Sequence, residues 1–179
     1  MFETCTVRAL VEDDLSMVLS WRNHPDVRRY MLTQHEITLQ EHCNWFDLVQ
    51  HDKTRQQLIV LDDSAPLGFV QFSSVNHGGI AYWGFYARPD APKGSGRKLG
   101  QAALKYAFND LGLYKVCGQA IESNVASIEF HQKLGFTEEG RLREQQRIEG
   151  IYHTLFCFGL LAKDWQADQQ IEGKEDDPN

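Results

Sequence analysis

The segment Ile80–Leu111, IAYWGFYARPDAPKGSGRKLGQAALKYAFNDL, decides the fold because it joins a strand, a basic glycine loop and a long helix. Apolar and aromatic residues occupy both alternating sets of positions in residues 80–87. This pattern predicts a strand that is covered on both faces. Pro89 and Pro92 end the strand, since proline cannot donate a ladder hydrogen bond.

The loop at residues 93–98 carries two glycines among three cationic side chains. Glycine lets the backbone approach a ligand closely. The helix after the loop has one narrow polar stripe and an otherwise apolar surface, so it should pack against a sheet. Its N-terminus would then present free N–H groups and the positive end of the helix dipole beside the loop, which predicts an anion site.

Length and composition bound the remaining possibilities. A chain of 179 residues with 42% apolar content is most simply one domain, here residues 1–163, followed by a polar, acidic and frayed tail at residues 164–179. The net charge of −7 disfavours binding to nucleic acid. Without a signal peptide or an apolar run near 18 residues, we expect a soluble, cytoplasmic protein with no membrane partner.

Side chains that bind metals show no ligand spacing. The four cysteines are scattered without a C-x-x-C pair, and most lie in apolar runs typical of strands. We therefore expect buried, reduced thiols and no metal.

A pass along the chain predicts strands and helices in a definite order. Strands are expected at residues 4–10, 57–61, 68–75, 80–87, 114–121, from 136 and at 151–161; helices are expected at residues 15–22, 26–31, 39–48, from the glycine loop to 111 and at 125–134. Thr38 with Glu41 forms a capping-box pattern, and Asn124 and Gly135 are typical of a helix start and end. Residues 77–79 should make a tight antiparallel hairpin.

Two motifs now resemble a known family. The strand–KGSG–helix unit and the segment Asn124–Phe136, NVASIEFHQKLGF, together resemble the GNAT superfamily of acetyl-CoA-dependent N-acetyltransferases. The resemblance implies an α/β (α+β) fold with one central mixed, mostly antiparallel sheet of about seven strands flanked by helices. One position departs from the family pattern, because Ala91 stands where Gln or Arg is usual.

The resemblance implies acetyl-CoA as co-substrate and a set of residues that bind it. The backbone N–H that polarises the thioester carbonyl would come from around Gly84 to Tyr86, where the family's strand pair splays and Gly84 would suit a bulge. The residues expected to bind acetyl-CoA are Phe85, Tyr86, Ala87, Lys93, Gly94, Ser95, Gly96, Arg97, Lys98, Asn124, Ser127, Phe130 and Lys133.

His131 holds the position at which the family usually has a tyrosine that protonates the leaving thiolate. An imidazole is a workable general acid near neutral pH, and such a group is worth roughly 10²–10⁴ in rate. The alternative is that His131 is a half-buried residue of an amphipathic helix. Glu122 is the candidate base for the incoming amine, unless it is an exposed capping residue.

The N-terminal part narrows the resemblance. The segment Trp21–Pro25 and the helix with His42 and Trp45 look like the branch that acetylates the 4-amine of a UDP-linked 4-amino-4,6-dideoxy sugar on the route to pseudaminic acid. The small-molecule partner would then be a UDP-amino-sugar. The residues expected to bind it are Arg22, His42, Trp45, Ser73, Ser74, Trp83 and Gln119.

Each of these assignments has a structural alternative. Trp45 and Trp83 can equally be core aromatics, His42 can lie on a solvated face, and one of the adjacent Ser73 and Ser74 must face outward. Trp-Arg-Asn openings also occur in ribosomal-protein N-terminal acetyltransferases. A peptide acetyltransferase and a non-catalytic acyl-CoA sensor therefore stay open, as does a homodimer through the terminal strands.

Overall fold

The computed structural model describes residues 5–75 and 79–166 of the chain. A 3₁₀ turn precedes the first helix, and a turn of π-helix ends the fourth. The strands are β1 (Thr6–Ala9), β2 (Gln56–Asp62), β3 (Ala65–Ser73), β4 (Ile80–Ala87), β5 (Lys115–Ile121), β6 (Thr137–Ile148) and β7 (Ile151–Leu161). The helices are α1 (Leu15–Asn23), α2 (Pro25–Arg28), α3 (Leu39–Val49), α4 (Ser95–Lys105) and α5 (Val125–Lys133).

The strands form one seven-stranded sheet in the order β1-β2-β3-β4-β5-β7-β6. Neighbours are antiparallel except for β4 and β5, which are parallel. This arrangement confirms the predicted mixed, mostly antiparallel sheet flanked by helices.

Local sequence signals fix the helix starts. The Glu41 N–H donates to Thr38 Oγ1 at 3.2 Å, and the Thr38 N–H donates to the Glu41 carboxylate at 2.7 Å. This reciprocal pair is the predicted capping box of α3. At α5 the Ser127 N–H donates to Asn124 Oδ1 at 3.1 Å, which confirms the second predicted cap.

Helices cover the two faces of the sheet unequally. One face carries α4 and α5 over the larger core, which includes Leu58, Val70, Phe72, Leu99, Leu104, Val116 and Phe158. The other face carries α1 and α3 over β2 and β3, with a core of Leu10, Leu15, Val18, Trp21, Phe46, Ile59 and Phe69. Beyond β3 this second face stays open, so Tyr82 and Gln119 are exposed.

That uneven cover corrects the prediction that both faces of β4 are buried. Ile80 and Tyr82 are 40% and 47% exposed because neither α1 nor α3 reaches them. The predicted bulge at Gly84 is also wrong, since the β3–β4 pairing runs through Gly84 without a register shift.

Two further expectations need adjustment. All four cysteines are free, but Cys117 is buried whereas the other three are partly exposed.

Residues 162–166 are helical, and Trp165 packs against Phe108 at 5.3 Å between ring centroids, so the folded unit extends past the predicted boundary at residue 163. The rest of the tail and most of the predicted 77–79 turn lie outside the described residues. Within those residues no helix is long and apolar enough to cross a membrane.

Candidate active site

The site is built around the point where β4 and β5 separate. Their parallel pairing covers Ile80–Tyr82 and Lys115–Cys117 and then stops, although both strands continue. A cleft of about 1180 Å³ opens there and is lined from both faces of the sheet. The splay predicted from the family resemblance is therefore present, without the bulge.

The glycine loop forms one end of this cleft. Gly94 adopts φ 93°, a conformation that favours glycine, and α4 starts directly after it. The N–H groups of Ser95, Arg97 and Lys98 are used within the turn, whereas no hydrogen bond among the described residues uses the Gly96 N–H. Gly96 also lines the cleft, so this N–H lies at the positive end of a helix in the wall of the cleft, a position that favours an anion.

The cationic side chains near this loop differ in their surroundings. Lys93 and Arg97 are exposed. Lys98 Nζ forms an ion pair with Asp62 at 2.9 Å, at the end of β2, so its charge is engaged by a carboxylate of the fold.

The second motif supplies the wall opposite the loop. Asn124, Ser127 and Phe130 line the cleft, and the Phe130 ring packs on Phe85 with centroids 4.7 Å apart. Together they would hold acetyl-CoA between α4 and α5, as the sequence predicts. Lys133 does not line the cleft and pairs with Glu129 at 3.3 Å on the exposed side of α5.

His131 lines the cleft but is buried, which corrects the alternative of a half-buried residue of an amphipathic helix. It is 1% exposed and stacks on Phe158 with centroids 4.7 Å apart. The Trp83 indole N–H donates to His131 Nε2 at 3.1 Å. Because Nε2 accepts, the proton of the neutral ring lies on Nδ1, which donates to the Ser127 carbonyl at 2.7 Å.

Both nitrogens of a neutral imidazole are occupied by this pair of bonds, and burial lowers the pKa of His131. The one proton of the neutral ring lies on Nδ1 and is engaged by the Ser127 carbonyl, while Nε2 accepts from Trp83. This geometry argues against His131 as the general acid, and Trp83 is its partner in the core.

Glu122 lies outside the cleft lining. Its carboxylate accepts the Thr154 N–H at 3.0 Å and so joins the end of β5 to β7. The structure therefore favours the structural alternative for Glu122 over a role as base.

At the far end of the cleft, Arg22 of α1 presents an unsatisfied donor. Arg22 Nη2 donates to the Thr33 carbonyl at 3.1 Å, while Nη1 is buried without a hydrogen-bond partner among the described residues. Burial lowers the pKa of Arg22. A guanidinium stays charged even so, because its ordinary pKa lies far above neutral pH.

His42 lies beside Arg22 and corrects the alternative of a solvated face, since it is 5% exposed. Its ring stacks on Trp45 with centroids 5.1 Å apart and planes 17° apart. His42 Nε2 is buried without a partner among the described residues, and burial followed by the charge of Arg22 lowers the pKa of His42. The imidazole is thus held neutral at the cleft wall.

The remaining predicted substrate residues separate into two groups. Ser73 and Gln119 line the cleft, whereas Ser74 does not and is exposed with φ 59°. The expectation that one of the two serines faces outward is confirmed.

Several lining residues were missed from the sequence. Between Leu142 and Gln146, three residues of β6 lie opposite a single residue of β7. This bulge bends the β6–β7 hairpin, and Gln145 and Gln146 line the cleft. Gln71 is the one polar residue in an otherwise apolar part of β3, which is the signal that could have found it. The loop at residues 29–37 forms a further wall.

Asn23 fixes that loop. Its Nδ2 donates to the Ile37 carbonyl at 2.7 Å, and the Ile37 N–H donates to its Oδ1 at 2.8 Å.

No group of metal-binding side chains occurs in the part of the chain that the structure describes.

The cleft extends from the glycine at the N-terminus of α4 to a second polar region that holds Arg22 and His42. Residues 5–137 match the model of the acetyltransferase (GNAT) domain, and the chain belongs to this family of acetyltransferases. The enzyme class and fold expected from the sequence are thereby confirmed, and acetyl-CoA is the supported co-substrate.

Relatives with different names are similarly close. Acetyltransferase PseH of Campylobacter jejuni (strain 81-176) is 27% identical over 72% of this chain and 80% of its own. Spermidine N(1)-acetyltransferase of Escherichia coli K12 is 26% identical over 94% of this chain and 91% of its own. The crystal structure of spermidine N-acetyltransferase from Vibrio cholerae with CoA and spermine superposes with a TM-score of 0.84 at 25% identity, over 91% of this chain and 98% of that one.

Proposed function

We propose that the protein transfers the acetyl group of acetyl-CoA to the 4-amine of a UDP-linked 4-amino-4,6-dideoxy sugar, by direct attack in a ternary complex. The observation that carries the proposal is the pair of buried polar atoms in the acceptor half of the cleft that have no partner among the described residues, the donor Arg22 Nη1 and the ring nitrogen His42 Nε2. Similarity to the PseH acetyltransferase supports the link to pseudaminic acid biosynthesis that the sequence indicates.

A buried guanidinium with one unpaired N–H group favours an anionic ligand. Leaving a charged donor buried and unpaired is costly, and a phosphate oxygen would satisfy it with a charge-assisted hydrogen bond. A diphosphate supplies such oxygens. A polyamine would instead bring positive charge towards Arg22.

The stacked pair beside Arg22 suits the remainder of a nucleotide. His42 presents Nε2, and Trp45 extends the flat surface with a partly exposed ring. Aromatic faces of this kind accept a planar base by offset stacking. A sugar nucleotide would thus lie with its phosphates at Arg22 and its sugar directed to the splay.

The splay is where the transfer would occur. Beyond Tyr82 the backbone of β4 is released from β5, so N–H groups of residues 84–87 on that side can donate to the thioester oxygen as it gains charge. The acceptor nitrogen bonds to the carbonyl carbon, the carbon–sulfur bond breaks, the nitrogen loses one proton and the sulfur gains one. The products are an amide and free CoA thiol.

Acetylation of a polyamine is the second candidate, because relatives named for spermidine cover more of the chain. Two carboxylates in the cleft lining, Asp26 and Glu41, could favour it. Both are engaged, however: Asp26 pairs with Arg29 at 3.3 Å, and Glu41 accepts from Thr38, which lowers the pKa of Glu41 to about 2.

The test is thiol release from acetyl-CoA with three acceptors: the UDP-4-amino-4,6-dideoxy sugar, spermidine and an N-terminal ribosomal peptide. We expect release with the sugar nucleotide. Release with spermidine or the peptide alone would overturn the proposed acceptor.

Arg22→Gln separates the acceptors further. It should raise the KM for the sugar nucleotide roughly 10- to 100-fold, the worth of a hydrogen bond to a charged group, and leave the KM for acetyl-CoA unchanged. Arg55→Ala is the control, since Arg55 pairs with Asp52 and does not line the cleft. An unchanged KM in Arg22→Gln would refute the phosphate contact.

A further inference from the structure

A row of polar side chains crosses the open face of the sheet at the splay. Gln57 of β2 pairs with Gln71 of β3, which pairs with Gly84 of β4. Gln119 of β5 lies two residues beyond the last β4–β5 pair and therefore on the same face. The row thus has glutamines on both sides of the opening and a glycine at its edge.

Gly84 makes room for the side chain of Gln71. A Cβ atom at residue 84 would lie 3.0 Å from Gln71 Nε2 and 3.4 Å from its Cγ. Contacts this close force a neighbour to move, so the Gln71 side chain lies over Gly84 because Gly84 has none. Gly84 is not needed for a left-handed turn, since its φ is not positive.

The amide of Gln71 is available for a ligand. It lines the cleft and makes no hydrogen bond among the described residues. Behind it, Gln57 is 9% exposed with both amide atoms unpartnered, so this row holds polar capacity that the protein itself does not use.

Carboxylates are missing from the cleft wall around the row, as far as the described residues show. The lining there consists of Gln71, Ser73, Tyr82, Gly84, Gln119, Leu142, Gln145, Gln146 and Leu155. This matters because a carboxylate favours the protonated form of a nearby amine, whereas a neutral amide oxygen accepts an N–H without that penalty. Direct attack requires the unprotonated amine.

We propose that Gln71 receives the acceptor amine at the splay, with its Oε1 accepting an N–H and orienting the nitrogen lone pair towards the thioester, and that Gly84 is a glycine to permit this. The inference deepens the proposed function by naming the group that positions the amine. It applies to whichever amine the enzyme acetylates, so it can fail or hold independently of the sugar nucleotide.

The test uses full-length Gln71→Leu, Gln71→Glu and Gly84→Ala with the best acceptor found for the wild-type protein. Gln71→Leu and Gly84→Ala should lower kcat/KM for the amine about 2- to 13-fold, the range for one neutral hydrogen bond, with the KM for acetyl-CoA unchanged. Gly140→Ala is the control for Gly84→Ala, since an added Cβ there meets nothing within 4 Å.

Gln71→Glu supplies a readout that a merely structural role would not move. The new carboxylate should raise the pKa of the bound amine, so the acid limb of the pH profile of kcat should shift to higher pH. Wild-type kcat/KM in Gln71→Leu together with an unshifted profile in Gln71→Glu would overturn the proposal. Melting temperatures identify any variant whose loss is one of folding.

Discussion

His131→Phe is the substitution that best separates a structural from a catalytic histidine. Phenylalanine keeps a ring of similar size against Phe158, where the imidazole now stacks at 4.7 Å. It removes Nε2, so the buried indole N–H of Trp83 loses the acceptor that now lies 3.1 Å away. It also removes the hydrogen bond to the Ser127 carbonyl.

The magnitude follows from these contacts. Leaving a buried donor unsatisfied costs about 1–3 kcal/mol, and a ring exchange of similar volume usually costs below about 1.5 kcal/mol. We expect a loss of about 2 kcal/mol in the free energy of unfolding, which corresponds to a fall in Tm of about 4–8 °C for a chain of this size. Turnover at 25 °C should stay within about twofold, because both imidazole nitrogens are already bonded inside the protein.

The assay is thermal unfolding beside steady-state turnover, completed by a double-mutant cycle with Trp83→Phe. The double variant removes both partners of the Trp83–His131 bond, so the indole N–H is no longer left without an acceptor, and the variant should be more stable than the sum of the single changes by about 1–2 kcal/mol. The reasoning is refuted if His131→Phe keeps its Tm and loses 100-fold or more in kcat, since that pattern belongs to a general acid.

Three further predictions test the fold around the site. Burial lowers the pKa of His131 and His42 below the ordinary 6.5, so the unfolded state binds protons before the folded state as the pH falls. The free energy of unfolding should therefore be flat above pH 6.5 and fall below it by up to about 1.4 kcal/mol per pH unit for each histidine. Urea unfolding at several pH values measures this change. Gly100→Ala would place a Cβ 2.5 Å from Leu134 Cδ1, so it should cost about 1–3 kcal/mol, and a wild-type Tm would contradict the tight α4–α5 contact. Thr38→Ala should cost about 1 kcal/mol by removing the cap of α3, with circular dichroism melting as the measurement and no loss as the contrary result.

The order and type of the elements could be predicted because local signals were strong. The capping box at Thr38, the cap at Asn124 and the apolar run of β4 each act within a few residues of sequence. The exposure of Tyr82 could not be predicted in this way. It depends on where α1 and α3 end over the sheet, which is a property of tertiary packing.

The candidate site likewise contains some residues that the sequence predicts and others that only the folded structure shows. Gly96 and Asn124, which line the cleft, could be predicted because each lies in a contiguous motif. Gln145 enters the cleft through a bulge in β6 that no local pattern marks. The burial of His131 depends on the indole of Trp83, 48 residues earlier in the chain, so only the folded structure shows that its nitrogens are occupied.

The parting of β4 and β5 has a mechanical consequence for the whole molecule. Three residue pairs, Ile80–Tyr82 with Lys115–Cys117, join the half-sheet β1–β4 to the half-sheet β5-β7-β6. The two halves are therefore natural units of partial opening, and amide hydrogen exchange should distinguish them. A ligand bound across the gap contacts both, so it would tie their stabilities together by RT ln(1 + [L]/Kd) and make the sheet unfold as one cooperative body.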